Sequence, residues 1–157
     1  MKDKIILVTG ATSGIGFQTA LSLAKMGAQV IVTGRSQTSA QEAVTKLKTE
    51  SGNERVDFLL ADLSAQKNVR ALAEQFKARY ERLDVLINNA GLVESERRLT
   101  EDGVEAIFSV NAVAPFLLTH LLMDSLKASS SPRVITVTGG DVVPIDLENL
   151  QGEKSFL

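Results

Sequence analysis

A glycine-rich segment after the first apolar run is the feature that most constrains how this 157-residue chain can fold. The run Ile5-Ile6-Leu7-Val8 has the length and composition of a strand that is buried on both faces. The segment Thr9-Gly10-Ala11-Thr12-Ser13-Gly14-Ile15-Gly16 follows it directly. Apolar residues then recur at helical spacing, at Phe17, Ala20, Leu21 and Ala24. This order predicts a strand, a tight turn and a helix.

Each glycine of this turn has a separate predicted task. Gly10 permits the tight turn, Gly14 lets the backbone approach a phosphate, and Gly16 lets the helix pack closely on the strand. The N-terminus of the helix offers free N–H groups and a partial positive charge to an anion. Although glycines also serve ordinary turns, we expect this one to hold the pyrophosphate of NAD(P). Its predicted cofactor contacts are Gly10, Thr12, Ser13, Gly14, Ile15 and Gly16.

Apolar runs of strand length alternate with helical patterns along the rest of the chain, which is typical of parallel βαβ units. The five predicted strands are 4–9, 29–34, 56–60, 85–88 and 133–138. Right-handed crossovers favour one parallel sheet in the order 3-2-1-4-5, with the fifth strand as an unpaired edge. We expect a single α/β domain over residues 1–157, with an irregular tail at 139–157. It would be a Rossmann-type three-layer αβα sandwich, incomplete at its C-terminal side.

Several boundaries of the helices can also be predicted. Ser39 and Glu42 have the spacing of a capping box for the second helix. Ser64 can cap the third helix. The helical sequence at 100–128 is expected to form two pieces, because Pro115 lacks a backbone donor and disturbs the preceding turn.

The end of the second predicted strand bears on the choice of cofactor. NAD-preferring sites place an Asp or Glu there for the ribose 2′-OH, whereas Thr33-Gly34-Arg35-Ser36 contains no acid. An arginine can instead bind a 2′-phosphate through charge-assisted hydrogen bonds. We therefore expect Arg35 and Ser36 to contact the cofactor and NADP(H) to be preferred over NAD(H). The alternative is that Arg35 is a solvated arginine at a strand end.

Three further segments complete a pattern with the glycine turn: Asp62-Leu63, Asn88-Asn89-Ala90-Gly91 and Val110-Asn111. In sequence and spacing, the four segments together resemble the short-chain dehydrogenase/reductase family, and most closely its retinol-dehydrogenase-like branch. Residues 149–154 also resemble the loop that leads towards the active-site tyrosine in that branch.

The resemblance implies roles for individual residues. Asp62 and Leu63 would meet the adenine, and Asn111 would help to hold a proton-relay water. The residues implied along the rest of the cofactor are Asn89, Ala90, Gly91 and Val110. Plainer structural roles stay open: Asp62 can be a helix cap, Asn89 to Gly91 a turn that ends a strand, and Asn111 a polar helix break.

The chemistry of the family is hydride transfer at a carbonyl or alcohol carbon. A Tyr acts as general acid/base, a Lys four residues later lowers its pKa, and a Ser orients the substrate oxygen. The one tyrosine, Tyr80, is followed at that distance by Asp84 and lies on an apolar helical stripe, so we expect it in the core. Gly139 stands at the Ser position, and Thr138 supplies a hydroxyl only if the register slips by one. Asn111 is the one expected catalytic residue clearly present.

Two accounts fit this pattern. In the favoured one, the chain is the N-terminal part of an NADP(H)-dependent short-chain oxidoreductase, without the helix that bears Tyr and Lys. In the other, it is a complete but non-catalytic NADP(H)-binding module or self-associating pseudoenzyme, which Gly139 favours. Either way, we expect the chain alone to bind cofactor and to be inactive. A homo-oligomer is also an option, through the unpaired fifth strand or an apolar helix face.

Composition excludes several other classes of function. A net charge of -2 without a basic run argues against nucleic acid as a partner. The lack of cysteine and the single histidine argue against a metal site. The longest apolar stretch, 110–123, is too short and too polar to span a bilayer. We expect a cytoplasmic protein whose partner is a nicotinamide dinucleotide, with a small carbonyl or alcohol substrate if the full-length chain is active.

Overall fold

The computed structural model describes residues 1–139 and 144–156. The strands are β1 (Ile5–Val8), β2 (Gln29–Gly34), β3 (Val56–Leu60), β4 (Val85–Asn88) and β5 (Arg133–Thr136). The first three helices are α1 (Gly14–Lys25), α2 (Gln37–Ser51) and α3 (Gln66–Arg79). A helical stretch between β4 and β5 consists of α4 (Ala106–Phe108), a π-helical turn (Ser109–Val113), α5 (Ala114–Leu121) and α6 (Met123–Lys127).

The five strands form one parallel sheet in the order β3-β2-β1-β4-β5, which confirms the predicted topology. At its centre, Ile6 of β1 is aligned with Val30 of β2 on one side and Val85 of β4 on the other. Two strands are shorter than predicted, since β1 and β5 end one and two residues earlier. Because β2, β1 and β4 are adjacent and parallel, their carboxyl ends meet along one edge of the sheet.

Two apolar layers cover the two faces of this sheet, as the alternation of side chains along a strand requires. Ile6 and Val8 belong to the layer formed with α1 and α2, whereas Ile5 and Leu7 belong to the layer formed with α3 and α5. The strand interiors are apolar on both faces because both faces are covered by helices.

The edge strand β5 is less covered than the rest of the sheet. All four of its residues are exposed, and the apolar side chains Val134 and Ile135 are 44% and 46% exposed. Its only strand partner among the described residues is β4, in agreement with the predicted edge position.

The caps of α2 and α3 differ from the sequence predictions. Ser36, not Ser39, is the N-cap of α2, and its Oγ accepts a hydrogen bond from the Ser39 N–H at 3.4 Å. The helix begins one turn earlier than expected because both serines have capping chemistry and the first satisfies the free donors. The predicted Ser64 cap is also wrong. The N-cap of α3 is Ala65, and the carboxylate of the distant Asp102 accepts from the Gln66 N–H at 2.8 Å.

The helical stretch is divided at Leu122 and not at Pro115, but the turn before the proline is disturbed, as predicted. The π-helical turn lies directly before it, and such a turn widens the helix at the point where the proline ring would otherwise clash with the preceding turn. The stretch begins at Ala106 instead of Thr100, and it is interrupted at Leu122.

Residues 144–156 are attached to the loop formed by residues 92–105. The Arg97 Nε donates to the Gln151 carbonyl oxygen at 2.7 Å, and the Glu105 N–H donates to the Gln151 Oε1 at 3.1 Å. The segment contains a 3₁₀ turn (Leu147–Asn149), so the tail is more ordered than predicted. The remaining predicted tail positions, 140–143 and 157, lie outside the described residues. Across the described ranges, none of the helices is long and apolar enough to cross a membrane.

Candidate active site

The glycine turn lies between β1 and α1, where space for side chains is smallest. Gly10 has a φ of +63°, a conformation that L side chains rarely adopt, and a Cβ there would lie 2.8 Å from the Ala90 Cα. A Cβ on Gly16 would lie 2.6 Å from the Gly10 carbonyl oxygen and would also meet the Asn89 Nδ2. The predicted tasks of Gly10 and Gly16 thus have a geometric basis in the fold.

Thr9 and Asn89 join the turn to the end of β4. The Thr9 Oγ1 accepts the N–H groups of Asn89 and Ala90, both at 3.0 Å. In return, the Asn89 Nδ2 donates to the carbonyl oxygens of Thr9 at 2.9 Å and Gly10 at 3.1 Å. Asn89 therefore holds the turn in place, which is a structural task besides its predicted contact with the cofactor.

The N-terminus of α1 is left free for an anion. Its N-cap, Ser13, makes no side-chain capping bond, and the first turn of α1 contains no acidic residue. The first N–H groups of a helix have no acceptor within the helix, so they and the helix dipole favour a negative group at this position. The geometry fits a phosphate, as the sequence predicts.

The end of β2 lies beside the glycine turn. The Thr33 Oγ1 accepts the Gly10 N–H at 3.3 Å. A Cβ on Gly34 would lie 2.5 Å from the Thr12 Cγ2, so the two turns pack directly on each other. Arg35 follows at the rim, exposed, and its guanidinium makes no hydrogen bond or ion pair within residues 1–139 and 144–156. It is therefore available to an anionic group at this edge.

Asp62 and Leu63 follow β3 at the same edge of the sheet. The Asp62 Oδ1 accepts the Ser64 N–H at 3.0 Å, which is a local turn, whereas α3 begins only at Gln66. Burial raises the pKa of Asp62, but hydrogen bonds from Ser64 and the charges of Arg35 and Arg98 outweigh it and hold the pKa below its usual value. The carboxylate is thus ionised at neutral pH and can accept a hydrogen bond from an amine.

These elements enclose a cavity of about 840 Å³, a size typical of small-molecule sites. Its walls include all but one of the predicted cofactor residues, namely Gly10, Thr12, Ser13, Gly14, Ile15, Gly16, Arg35, Asp62, Leu63, Asn89, Ala90, Gly91 and Val110. Ser36 is the exception, because it caps α2. What each wall residue contacts in a bound cofactor stays a prediction.

Asn111 lies in the π-helical turn beside the loop that follows β4. Its Oδ1 accepts the Leu92 N–H at 2.8 Å, and its Nδ2 donates to the Leu92 carbonyl oxygen at 2.9 Å. Both polar groups of the amide are engaged with one backbone residue. The proton-relay role that the resemblance implies stays a prediction, and Asn111 also fixes the start of the 92–105 loop.

Tyr80 lies outside this cavity. Its ring packs on Phe76 with 4.9 Å between the ring centroids, and its hydroxyl donates to the Asp57 Oδ2 at 3.1 Å. Burial, together with the Asp57 charge, raises the pKa of Tyr80 to about 12. A phenol in this environment stays protonated near neutral pH and cannot act as a general base there.

The positions that follow β5 lack a catalytic hydroxyl at the expected place. No atom of residues 1–139 or 144–156 lies within 4 Å of where a Gly139 Cβ would be, and Thr138 is exposed. The part of the chain that the structure describes contains no tyrosine four residues before a lysine, and neither does the whole sequence.

Sequence reasoning missed several wall residues: Thr33, Gly34, Ala61, Ser64, Leu92, Arg98 and Val137. Most of them adjoin a predicted site residue and could have been found by extending each motif by one position. Arg98 could not, because it lies in an irregular loop far along the chain from the glycine turn.

Comparison with known proteins identifies the scaffold. The family model described as "short chain dehydrogenase" matches residues 4–141. The chain belongs to the short-chain dehydrogenase family. The match covers the glycine turn, β1 to β5 and every predicted site residue.

This short-chain dehydrogenase belongs to the retinol-dehydrogenase-like branch. It is 40% identical to human polyprenol dehydrogenase, over 98% of this chain and 48% of that protein. It is also 40% identical to human retinol dehydrogenase 11, over 99% of this chain and 50% of that protein. The chain thus spans about half the length of these curated relatives.

Solved structures of short-chain dehydrogenases show the same fold. The RhlG/NADP active-site complex of Pseudomonas aeruginosa has a TM-score of 0.75 and 31% identity, over 87% of this chain and 54% of that one. A putative short chain dehydrogenase from Escherichia coli CFT073 complexed with NADPH has a TM-score of 0.76 and 30% identity, over 87% and 58%. Both support a nicotinamide cofactor, and NADP in particular.

Proposed function

We propose that this chain binds NADP(H) for an NADP(H)-dependent short-chain oxidoreductase that acts on a carbonyl or alcohol, and that the chain alone does not complete the reaction. The observation that carries the proposal is Arg35, an unpaired guanidinium among the described residues, at the rim of a cavity that begins at a free helix N-terminus. The NADP complexes among the structural relatives support it.

The residues present fit the cofactor in three ways. Gly10 and Gly16 leave a cradle that a Cβ would fill, the first turn of α1 has no competing acid, and Asp62 stays ionised. When bound, the nicotinamide supplies or accepts the hydride. This chain's own residues bind and orient the dinucleotide, and α1 attracts its pyrophosphate.

Replacing Arg35 with alanine is expected to weaken NADPH binding about 10- to 150-fold, the loss of one charge-assisted hydrogen bond to a phosphate. NADH affinity should stay within about twofold, because NADH has no 2′-phosphate. Fluorescence titration of both nucleotides measures the ratio. Arg70→Ala, which removes an exposed arginine on α3 outside the cavity, is the control. Equal wild-type affinities for NADPH and NADH would contradict the proposal.

The chain alone is expected to consume no NADPH when mixed with a reactive diketone. It has neither a Tyr-x-x-x-Lys pair nor a serine at position 139, and the one phenol, Tyr80, is held protonated away from the cavity. Absorbance at the nicotinamide band follows consumption, and a fluorescence titration of the same sample verifies that NADPH is bound. Sustained turnover would refute the proposed inactivity.

A non-catalytic NADP(H)-binding module is the second candidate function, and Gly139 is the observation that favours it. With no side chain at position 139, even a longer chain lacks a hydroxyl at the position where one is expected to orient the substrate oxygen. A homo-oligomer through the exposed β5 edge would suit such a module. Both candidates share NADP(H) binding, and reduction of a carbonyl by the complete gene product would distinguish them.

We also propose that the protein is cytoplasmic. The support is compositional: the chain has no cysteine, which fits a reducing compartment. Fractionation of cells that express the complete gene product, with detection in the cytosolic and membrane fractions, tests this location.

A further inference from the structure

The loop formed by residues 92–105 supplies one wall of the cofactor cavity, and Arg98 is the residue of its central part that reaches the cavity. The cavity is also lined by Asp62, Leu63 and Ser64, which follow β3, and the charges of Arg98 and Asp62 act on each other across it. Arg98 is therefore placed beside the part of the cavity that contains Asp62. No sequence motif pointed to this residue.

The loop is fixed in this position by contacts with α3. The Asp102 Oδ2 accepts the Gln66 N–H at 2.8 Å, and the Glu101 Oε2 pairs with the Lys67 Nζ at 2.7 Å. The Arg98 carbonyl oxygen itself accepts the Ala106 N–H at 2.9 Å, at the start of α4. The backbone at Arg98 is thus tied to the helical elements on either side of the loop.

The guanidinium of Arg98 is also held by a neighbour. Its Nη2 and Nε donate to the Glu94 Oε1 at 2.6 and 3.3 Å. The side chain of Arg98 is 54% exposed and lines the cavity, so part of its guanidinium is accessible to a ligand there. Glu94 orients the plane and neutralises much of its charge.

Adjacent arginines in this loop have different tasks. Arg97 donates to the Gln151 carbonyl oxygen and lies 3.5 Å from the Glu153 carboxylate, so it is directed to the 144–156 segment and does not line the cavity. Arg98 is directed to the cavity. The two side chains are chemically identical, but one contacts the 144–156 segment and the other lines the cavity.

We propose that Arg98 is a positioning residue for the dinucleotide, packing its guanidinium plane against the adenine ring. This inference rests on the proposed function. An adenine suits Arg98 better than the 2′-phosphate does, because Glu94 already satisfies its charge, whereas Arg35 has no partner among the described residues and is free for a phosphate. A planar, weakly hydrated guanidinium stacks well on aromatic rings, and pairing with a carboxylate does not prevent this.

The test compares three ligands that share adenosine: NADPH, NADH and ADP-ribose. Arg98→Ala is expected to weaken all three by the same factor, about five- to thirtyfold, since only the shared adenine loses a contact. Nucleotide fluorescence reports NADPH and NADH, and displacement of NADPH reports ADP-ribose. Arg97→Ala is the matched control, with affinities expected within about twofold of wild type. Arg98→Lys should recover only part of the loss, because lysine has no plane to stack.

The outcomes separate this inference from the proposed function. A loss confined to NADPH would assign Arg98 to the 2′-phosphate and overturn the adenine role, as would full recovery by lysine. Equal losses in Arg97→Ala and Arg98→Ala would point to a disturbed loop and overturn it as well. Wild-type binding that Arg98→Ala leaves unchanged would overturn only the role of Arg98, whereas a wild-type chain that binds none of the ligands would overturn the proposed function.

Discussion

Replacing Gly16 with alanine is expected to weaken NADPH binding about 30- to 100-fold and to destabilise the fold by about 3 kcal/mol. The new Cβ would lie 2.6 Å from the Gly10 carbonyl oxygen and 2.9 Å from the Ala11 Cα, and it would meet the Asn89 Nδ2. Backbone atoms on two sides leave the methyl no space, so the turn must open.

Opening the turn removes more than local packing. The Asn89 amide that the methyl displaces makes two hydrogen bonds to the backbone of Thr9 and Gly10, and these hold β4 to the turn. The N–H groups at the start of α1 then lose their alignment with the pyrophosphate, which is why affinity and stability fall together.

Thermal denaturation and NADPH titration measure the two effects of Gly16→Ala. A fall in Tm of about 6–12 °C corresponds to the expected loss for a domain of this size. Gly139→Ala is the matched control, because no atom of the described residues lies within 4 Å of that Cβ, and it should change stability by less than about 0.5 kcal/mol. Wild-type affinity in Gly16→Ala would show that the turn does not bind the phosphates.

Replacing Asp84 with asparagine is expected to destabilise the protein by about 2–3 kcal/mol at pH 7 without changing cofactor affinity. The carboxylate is buried at the start of β4, on the sheet edge opposite the cavity. It accepts four hydrogen bonds: from the Ile5 N–H at 2.8 Å, the Ser129 Oγ at 2.6 Å, the Lys4 Nζ at 3.1 Å and the Arg82 Nε at 3.3 Å. Asparagine keeps the shape but loses the charge that two cations require.

The same variant has a distinct pH signature. Burial raises the pKa of Asp84, but the hydrogen bonds from Ser129, Ile5 and Lys4 and the Arg82 charge outweigh it and lower the pKa to about 2. Because the folded pKa lies below the unfolded value of 3.8, the ionised carboxylate stabilises the fold above that value. This contribution, about 2 kcal/mol, is lost as the pH falls towards 2.

Denaturant unfolding at several pH values between 7 and 2 tests both statements. The difference in unfolding free energy between wild type and Asp84→Asn should narrow as the pH falls below about 4. Asp57→Asn is the control, because that carboxylate is half-exposed and its loss should cost about 1 kcal/mol or less. A difference that stays constant with pH would show that the Asp84 charge does not stabilise the native state.

The sheet could be predicted from sequence because its strands are short apolar runs and its helices have one apolar face. Burial on both faces makes runs such as Ile5–Val8 unmistakable, and right-handed crossovers then leave few possible strand orders. The cofactor cradle was predictable for a related reason. The backbone at Gly10 and Gly16 leaves no space for a Cβ, and this requirement is visible in the sequence as the glycines themselves.

The errors arose where distant residues decide a local structure. Ser39 has the residue type and spacing of an N-cap, but it is Ser36 whose Oγ accepts the capping hydrogen bond of α2. For α3, no residue near Ser64 in the sequence indicates that the side chain of Asp102 caps the helix. Arg98 was not predicted for the same reason. The loop is irregular, so its sequence has no repeating pattern that indicates which charged side chain faces the cavity. The two hydrogen bonds between the Asn111 side chain and the Leu92 backbone likewise depend on the path of that loop.

The cap that Asp102 provides for α3 ties the length of the 92–105 loop to the rest of the molecule. Surface loops usually tolerate insertions, because their ends alone are fixed. Here two positions within the loop are fixed as well. The Asp102 carboxylate must lie within hydrogen-bond distance of the Gln66 N–H, 36 residues away along the chain. Four positions before Asp102, Arg98 must line the cavity. A single inserted or deleted residue between them would satisfy one requirement and break the other. An insertion or deletion in this part of the loop is therefore expected to be tolerated less well than a change of side chain, and engineering of the neighbouring segment should preserve its residue count.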